Sequence, residues 1–269
     1  MYNFLASLKN IIFYSIKIKF AKRNRKKFDK IIEIENIKKI FDNRNEEYDY
    51  FFNFFWNLSD SWLRDHRGYF TNENRGFGED AFHAMWFLIF SQYKPKKVLE
   101  IGVYRGQTIS LFRLLSDRFN LMTEIHGISP FTSSGDEVSK YIENLDYKKD
   151  VIKNFDFFGL KHPILHKGFS DESTMINIIK SEKWDLIYID GNHDYNVAKL
   201  DVENCSKSLN IGGLLILDDS SLYTDYVPNF YSTSGHPGPS KVANEIDKRN
   251  FIEILSVGHN RVFKKLSNI

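Results

Sequence analysis

The stretch Val98-Leu99-Glu100-Ile101-Gly102-Val103-Tyr104-Arg105-Gly106-Gln107-Thr108 decides the reading of this chain. An apolar run suited to a buried strand ends in E-x-G-x-x-x-G and passes into a helical pattern. A strand that must turn sharply into a helix needs residues tolerant of unusual backbone angles. Gly102 and Gly106 supply them and let a ligand lie against bare backbone at a helix N-terminus. The spacing is not the G-x-G-x-x-G of dinucleotide binders, and no G-K-[ST] follows as in a phosphate-binding P-loop.

Two further stretches share this grammar. Trp184 to Ile189 is an apolar strand that ends on Asp190 and delivers His193 three residues later. Gly212-Gly213-Leu214-Leu215-Ile216-Leu217 is launched by a glycine pair and closed by Asp218 and Asp219. The order E-x-G-x-x-x-G, then I-D-G-x-H-x-Y, then G-G-L-L-I-L-D-D resembles class I methyltransferases that use S-adenosylmethionine (SAM). Within that class it is most similar to the metal-dependent sugar O-methyltransferases of the macrocin and mycinamicin type. The resemblance runs from about Lys97 to Leu266 and leaves the first third of the chain unassigned.

From Lys97 onward, apolar strand patterns at 98–102, 124–129, 163–167, 185–190 and 213–218 alternate with helical patterns near 107–118, 137–157, 171–182 and 195–208. A helix from about Ser240 to Arg249 follows. Phe251 to Val257 and Arg261 to Lys265, around Gly258-His259-Asn260, read as a closing hairpin. Alternation of this kind predicts an α/β domain with right-handed crossovers. The fold class expected is a doubly wound, mostly parallel seven-stranded sheet of the Rossmann-like methyltransferase form, with a helical N-terminal extension. The expected divisions are a basic amphipathic tail (1–30), a helical aromatic-rich segment (31–93) and a SAM-dependent methyltransferase domain (94–269).

The N-terminal third carries aromatics at Phe51, Phe52, Phe54, Phe55, Trp56 and Trp62, which read as core, with a sugar-stacking platform as the functional alternative. Glu79 and Asp80 suit the first turn of an apolar helix from Ala81 to about Tyr93, where Glu79 is expected to cap, with contact to the cofactor's ammonium group as its alternative. The single cysteine, Cys205, reads as a buried small hydrophobe and rules out an internal disulfide.

Net charge is +2, but residues 1–30 hold nine Lys or Arg and one acid, against 28 basic and 34 acidic residues in the remainder. A folded surface without basic excess excludes nucleic acid as the expected partner. Leu5, Leu8, Ile12 and Ile16 fall at helical spacing among lysines. A peripheral contact of residues 1–30 with an anionic membrane is one reading, and a solvated or partner-docking arm is the other. The apolar stretches are too short to span a bilayer. A cytoplasmic protein is the expectation, with a peripheral place at the inner face of the membrane under the first of these readings.

The chemistry follows from where the acids sit. In open α/β sheets ligands bind beyond the carboxyl ends of the strands, at the point where strand order reverses. The resemblance implies that the two acid-ended strands lie side by side next to the glycine-loop strand, so that Asp190, Asp218 and Asp219 would share that crevice and repel unless a cation neutralised them; oxygen ligands favour a hard divalent ion such as Mg²⁺. By the resemblance, His193 would be the general base that takes the proton of a hydroxyl acceptor; a turn residue capping the next helix is the alternative. SAM would lie across Gly102 to Gly106, with Glu100 orienting its methionine part and Gln107 and Thr108 at the helix start. The resemblance also implies that Phe169 and Ser170 would stand by the adenine, and that Ser129 takes the place of the acidic residue with which the resembled family usually holds the ribose.

The expected function is therefore SAM-dependent, divalent-metal-assisted O-methylation of a sugar or glycan-type acceptor, by a chain that could form a homo-oligomer. A catechol-like diol is a further acceptor class. A non-catalytic scaffold of the same fold, in a membrane-associated glycan-assembly complex, is the alternative. Tyr195 and Lys199 spell the Y-x-x-x-K of short-chain dehydrogenases, but the T-G-x-x-x-G-x-G loop those enzymes need is missing.

Overall fold

The structure is a computed structural model that describes residues 28–139, 141–229 and 232–269, together with 12, 15, 16, 18–21 and 23. The sheet has seven strands: β1 (Lys97–Ile101), β2 (Glu124–Ser129), β3 (Ile164–Lys167), β4 (Trp184–Ile189), β5 (Leu209–Leu217), β6 (Phe251–Val257) and β7 (Asn260–Lys265), in the order β3-β2-β1-β4-β5-β7-β6. The first five are mutually parallel, and β7 enters antiparallel between β5 and β6. Strand order reverses between β1 and β4, so their carboxyl ends splay and leave a crevice there.

β1 and β4 are apolar runs rather than alternating patterns because helices cover both faces of a parallel sheet. These helices are α5 (Gln107–Arg118), α6 (Tyr147–Phe157), α7 (Ser173–Ser181), α8 (Tyr195–Ser208) and α9 (Pro237–Glu245). Before the sheet come α1 (Ile34–Ile40), α2 (Arg44–Asn57), α3 (Ser61–Thr71) and α4 (Asp80–Tyr93), with a 3₁₀ turn at Asn72–Asn74. Asn43 caps α2 by accepting from the Glu46 amide, and Asp194 caps α8 by accepting from those of Asn196 and Val197. The caps explain why these helices start where they do.

The aromatic-rich segment is core. Phe51, Phe54 and Phe55 are fully buried, in one hydrophobic cluster that runs on through α4 and α5 to Val98, Leu186 and Leu214 of the sheet. Each such side chain contributes about 1.5–3 kcal/mol by leaving water, so the N-terminal helices form a continuous layer with the sheet. Cys205 is buried in the second cluster, on the other face.

Two sequence expectations change. The helix expected over 137–157 begins only at Tyr147, because Asp146 caps it there and accepts from the Lys149 amide at 3.0 Å. Upstream, the Asp136 carboxylate accepts from the amides of Val138 and Ser139, at 3.2 and 2.7 Å, in a turn that competes with helix formation. The last helix likewise spans Pro237–Glu245 rather than 240–249, since Pro237 pre-sets its first turn.

The tail expectation for residues 1–30 lies mostly outside the described residues. Its described members between 12 and 23 are helical, and Ile12, Ile16 and Phe20 are exposed. Ala21 is buried, and its carbonyl accepts from the Asn57 side chain at 3.1 Å. No helix among the described residues is long and apolar enough to cross a membrane.

Candidate active site

The carboxyl ends of β1, β2, β4 and β5 open into one cleft of about 820 Å³. Gly102 makes the tight turn after β1 with φ +99°, and a Cβ there would sit 1.7 Å from the carbonyl oxygen of Asp190. Only glycine allows that approach. It permits the Asp190 amide to donate to Ile101 O at 2.8 Å and the Gly102 amide to Ile128 O at 2.9 Å, which ties the strand tips together.

Gly106, with φ +88°, is the residue before α5 and packs toward Val151, so it shapes the turn from outside the cleft wall. The other sequence-assigned cofactor residues, Glu100, Gly102, Gln107, Thr108, Ser129, Phe169 and Ser170, all line the cleft. Gln107 accepts from the Gly78 amide at 3.1 Å, while its buried Nε2 has no partner among the described residues. Glu100 is 3% exposed with Oε2 likewise unpartnered, and burial together with the nearby Asp218 charge pushes its carboxyl up to about 8. Such orphaned groups facing a cleft fit a polar ligand that would complete their bonding. Ser170 Oγ donates to Asp201 at 3.1 Å, and burial pushes that carboxyl up to about 7.

Asp190, Asp218, Asp219 and His193 converge at the β4 and β5 end of the cleft. Burial and the neighbouring Asp218 charge raise Asp190 well above the usual carboxylate range; burial raises Asp218 as well. Two like charges forced together in a buried place disfavour the ionisation of both. Asp219 runs the other way: burial opposes its ionisation, but the His193 hydrogen bond and the His259 charge outweigh it and lower its pKa. Its backbone is left-handed at φ +49°, a strain of the kind concentrated at functional sites.

His193 is held between two carboxylates, donating from Nε2 to Asp219 at 2.8 Å and from Nδ1 to Asp136 at 2.5 Å. Burial disfavours its charged form, but Asp219 and then Asp136 prevail and push it up to about 9. Capping α8 falls to Asp194, so the alternative role considered for His193 is filled by its neighbour.

Sequence reasoning missed three residues here. Asp136 stands just ahead of the stretch at 137–157 that reads as helix and carries no signal of its own. His236 lies in the loop before α9, its ring centroid 4.4 Å from that of His193. His259 sits at the β6–β7 hairpin tip with Nε2 3.3 Å from Asp218 Oδ1. Glu79 departs from the capping role expected of it: it makes no cap bond, and its carboxylate instead accepts from Tyr48 and, at 2.6 Å, from Ser232 on the cleft wall. Tyr195 and Lys199 form an exposed cluster with Glu245 of α9, at 2.7 Å and 3.5 Å, and neither lines the cleft.

With this geometry in view, residues 99–220 match a protein family described as a methyltransferase domain. The fold is shared with a candidate caffeoyl-CoA O-methyltransferase from Staphylococcus aureus (TM-score 0.56, 15% identity, covering 77% of this chain and 93% of that one). It is shared also with the SAH-bound methyltransferase PaMTH1 of Podospora anserina (0.53, 14%, 78% and 89%). A third is TomG, an O-methyltransferase of tomaymycin synthesis from Streptomyces achromogenes solved with SAM (0.51, 10%, 83% and 99%). A curated protein of Acanthamoeba polyphaga mimivirus, itself uncharacterized, is 28% identical over 178 residues, 64% of this chain and 72% of that one. Residues 99–220, somewhat less than half of the chain, thus match a methyltransferase-domain model, and the seven-stranded sheet has the fold of solved methyltransferases.

Proposed function

We propose that this chain is a SAM-dependent O-methyltransferase, assisted by a divalent cation, that methylates a hydroxyl of a sugar or glycan-type acceptor. The observation that carries the reading is the convergence of Asp190, Asp218, Asp219 and His193 on the cleft that begins at the Gly102 turn. Raised carboxyl pKa values and unpartnered buried oxygens are what a carboxylate cluster shows when its counter-charge is a bound cation. Asp190, Asp218 and Asp219 would hold that ion. Glu100, Gln107, Thr108, Ser129, Phe169 and Ser170 would hold SAM. Ser129 can engage one ribose hydroxyl where an acidic residue would engage two.

When bound, SAM supplies an electrophilic sulfonium methyl and the cation makes a nearby hydroxyl more acidic. The protein's own work is alignment and proton removal. His193 Nε2 faces the acid cluster and would take the hydroxyl proton as the acceptor oxygen bonds to the methyl carbon and the carbon–sulfur bond breaks. Asp136 holds Nδ1–H and so keeps Nε2 as the working nitrogen. A cation sharing Asp219 would weaken the main support of the imidazolium and so favour the neutral, basic form. Aromatic side chains at the cleft mouth, Phe77 and Tyr104 with ring centroids 5.3 Å apart, offer a surface for a sugar face.

The exposed apolar positions Ile12, Ile16 and Phe20, within the basic tail, support peripheral contact with an anionic membrane. Methyl transfer from labelled SAM to glycan acceptors, with and without chelator, tests the reading. Transfer that persists unchanged in chelator would remove the cation from it.

A further inference from the structure

We propose that His259 is a ligand of the cation bound at Asp218 and Asp219, which makes the centre a mixed nitrogen and oxygen site. Such a site suits a borderline first-row ion such as Mn²⁺ or Fe²⁺ in place of Mg²⁺. The inference rests on the cation of the reading above and deepens it by adding a ligand that three carboxylates alone would not require.

The fold delivers this side chain with care. β7 pairs with β5 so that Arg261 stands opposite Leu217, which sets the hairpin tip beside the segment that follows β5. Gly258 turns the tip with φ +61°, and a Cβ there would meet Phe82 at 2.9 Å. The imidazole of His259 stands edge-on to Phe82, ring centroids 4.7 Å apart. The His259 carbonyl accepts from the Ser220 amide at 2.8 Å, and this bond ties the tip to the residue after Asp219. Gly235, with φ +98°, lets the loop that carries Thr233 lie against the Asp219 backbone, where a Cβ would meet it at 2.2 Å.

Hydrogen bonding then fixes which nitrogen is free. Nδ1 lies 3.2 Å from the Thr233 carbonyl, which can only accept, so Nδ1 carries hydrogen. Nε2 is left to face Asp218 Oδ1 at 3.3 Å. That carboxylate oxygen is buried, and no hydrogen bond of acceptable alignment reaches it among the described residues. Glu100, 3% exposed and lining the same cleft, has a second unpartnered buried oxygen. One ligand atom from each of Asp218, Asp219 and His259 lies within 4.8 Å of the others. An imidazole whose far nitrogen is pinned by a backbone carbonyl is the usual arrangement of a metal-ligating histidine. Adding imidazole to carboxylates shifts preference from Mg²⁺ toward later first-row ions.

His193 and His236 form a second cluster with Asp219, so the test must separate three imidazoles. The full-length protein, freed of metal and titrated with Mn²⁺ alone, would be examined by pulsed electron paramagnetic resonance for nitrogen hyperfine coupling. The coupling is expected in the unmutated protein and in His193→Ala and His236→Ala, and lost in His259→Ala with Mn²⁺ affinity reduced at least ~10-fold. His259→Gln, whose amide can still donate to Thr233, provides the same reading if the alanine variant fails a thermal-melt check of its fold. No Mn²⁺ binding, no nitrogen coupling, or coupling that survives both His259 substitutions would overturn the proposal. SAM binding is titrated separately: its failure counts against the methyltransferase reading and leaves the nitrogen signal to report on His259.

Discussion

Replacing Gly102 by alanine should damage the fold and the cleft together. With φ +99°, an L-residue there carries backbone strain of about 1–3 kcal/mol. Its Cβ would lie 1.7 Å from Asp190 O, so the tips of β1 and β4 must part by more than an ångström. That movement sacrifices the hydrogen bond from Asp190 N to Ile101 O, now 2.8 Å and worth ~1 kcal/mol net. Overpacking against backbone adds ~1–3 kcal/mol, for a total loss of ~3–7 kcal/mol. Gly212→Ala is the matched control, because Gly212 has φ +81° with nothing within 4 Å of an added Cβ and should show the strain alone. Urea unfolding followed by tryptophan fluorescence, with SAM titrations on the folded variants, reads both effects. Gly102→Ala that unfolds at the same midpoint as Gly212→Ala and binds SAM normally would refute the close-approach argument. A bulkier residue at Gly102 is therefore no clean probe of binding, because it strikes the strand that carries Asp190.

His193→Ala should retain SAM and cation binding yet lose turnover by ~10²-fold or more, the scale of a positioned base; an unchanged rate would remove it from the mechanism. Asp136→Asn should slow turnover roughly 10-fold with the KM for SAM unchanged, and a selective rise in that KM would count against an orienting role. Asp201 titrates at about 7 in the folded chain against an ordinary 3.8. Its contribution to stability is in place at acid pH and is lost as pH climbs from about 4 through about 7, to a total of ~4 kcal/mol. Asp201→Asn should flatten that loss in melts recorded from pH 5 to 8, and an unaltered slope would contradict the assignment. Glutamine at the basic positions from Lys22 to Lys27 should weaken binding to anionic vesicles in a salt-dependent manner; unaltered binding would make the tail structural.

The parts of the fold legible in the sequence are those where local pattern and burial agree. β1, β4 and β5 read correctly because strands covered on both faces are apolar throughout, and the acids that end them stand where the cleft opens. Gly102 was legible as a turn, though not as a contact with Asp190, since that meeting joins residues far apart in the chain. Asp136 was missed because residues 137–146 carry a helix-like pattern that a side-chain turn and the Asp146 cap override. His259 gave only a hairpin signal. Its value comes from the insertion of β7 beside β5, a tertiary fact without a local signature. Glu79 looked like a cap, but Tyr48 and Ser232 compete for its carboxylate and turn it to the cleft wall.

Calorimetric titration of the full-length protein with SAM, with and without a divalent cation, tests the central claim most directly. The account predicts saturable binding at one site per chain, sharply weakened in Glu100→Ala and in Phe169→Ala. Absence of binding under both conditions, or binding indifferent to both substitutions, would contradict it.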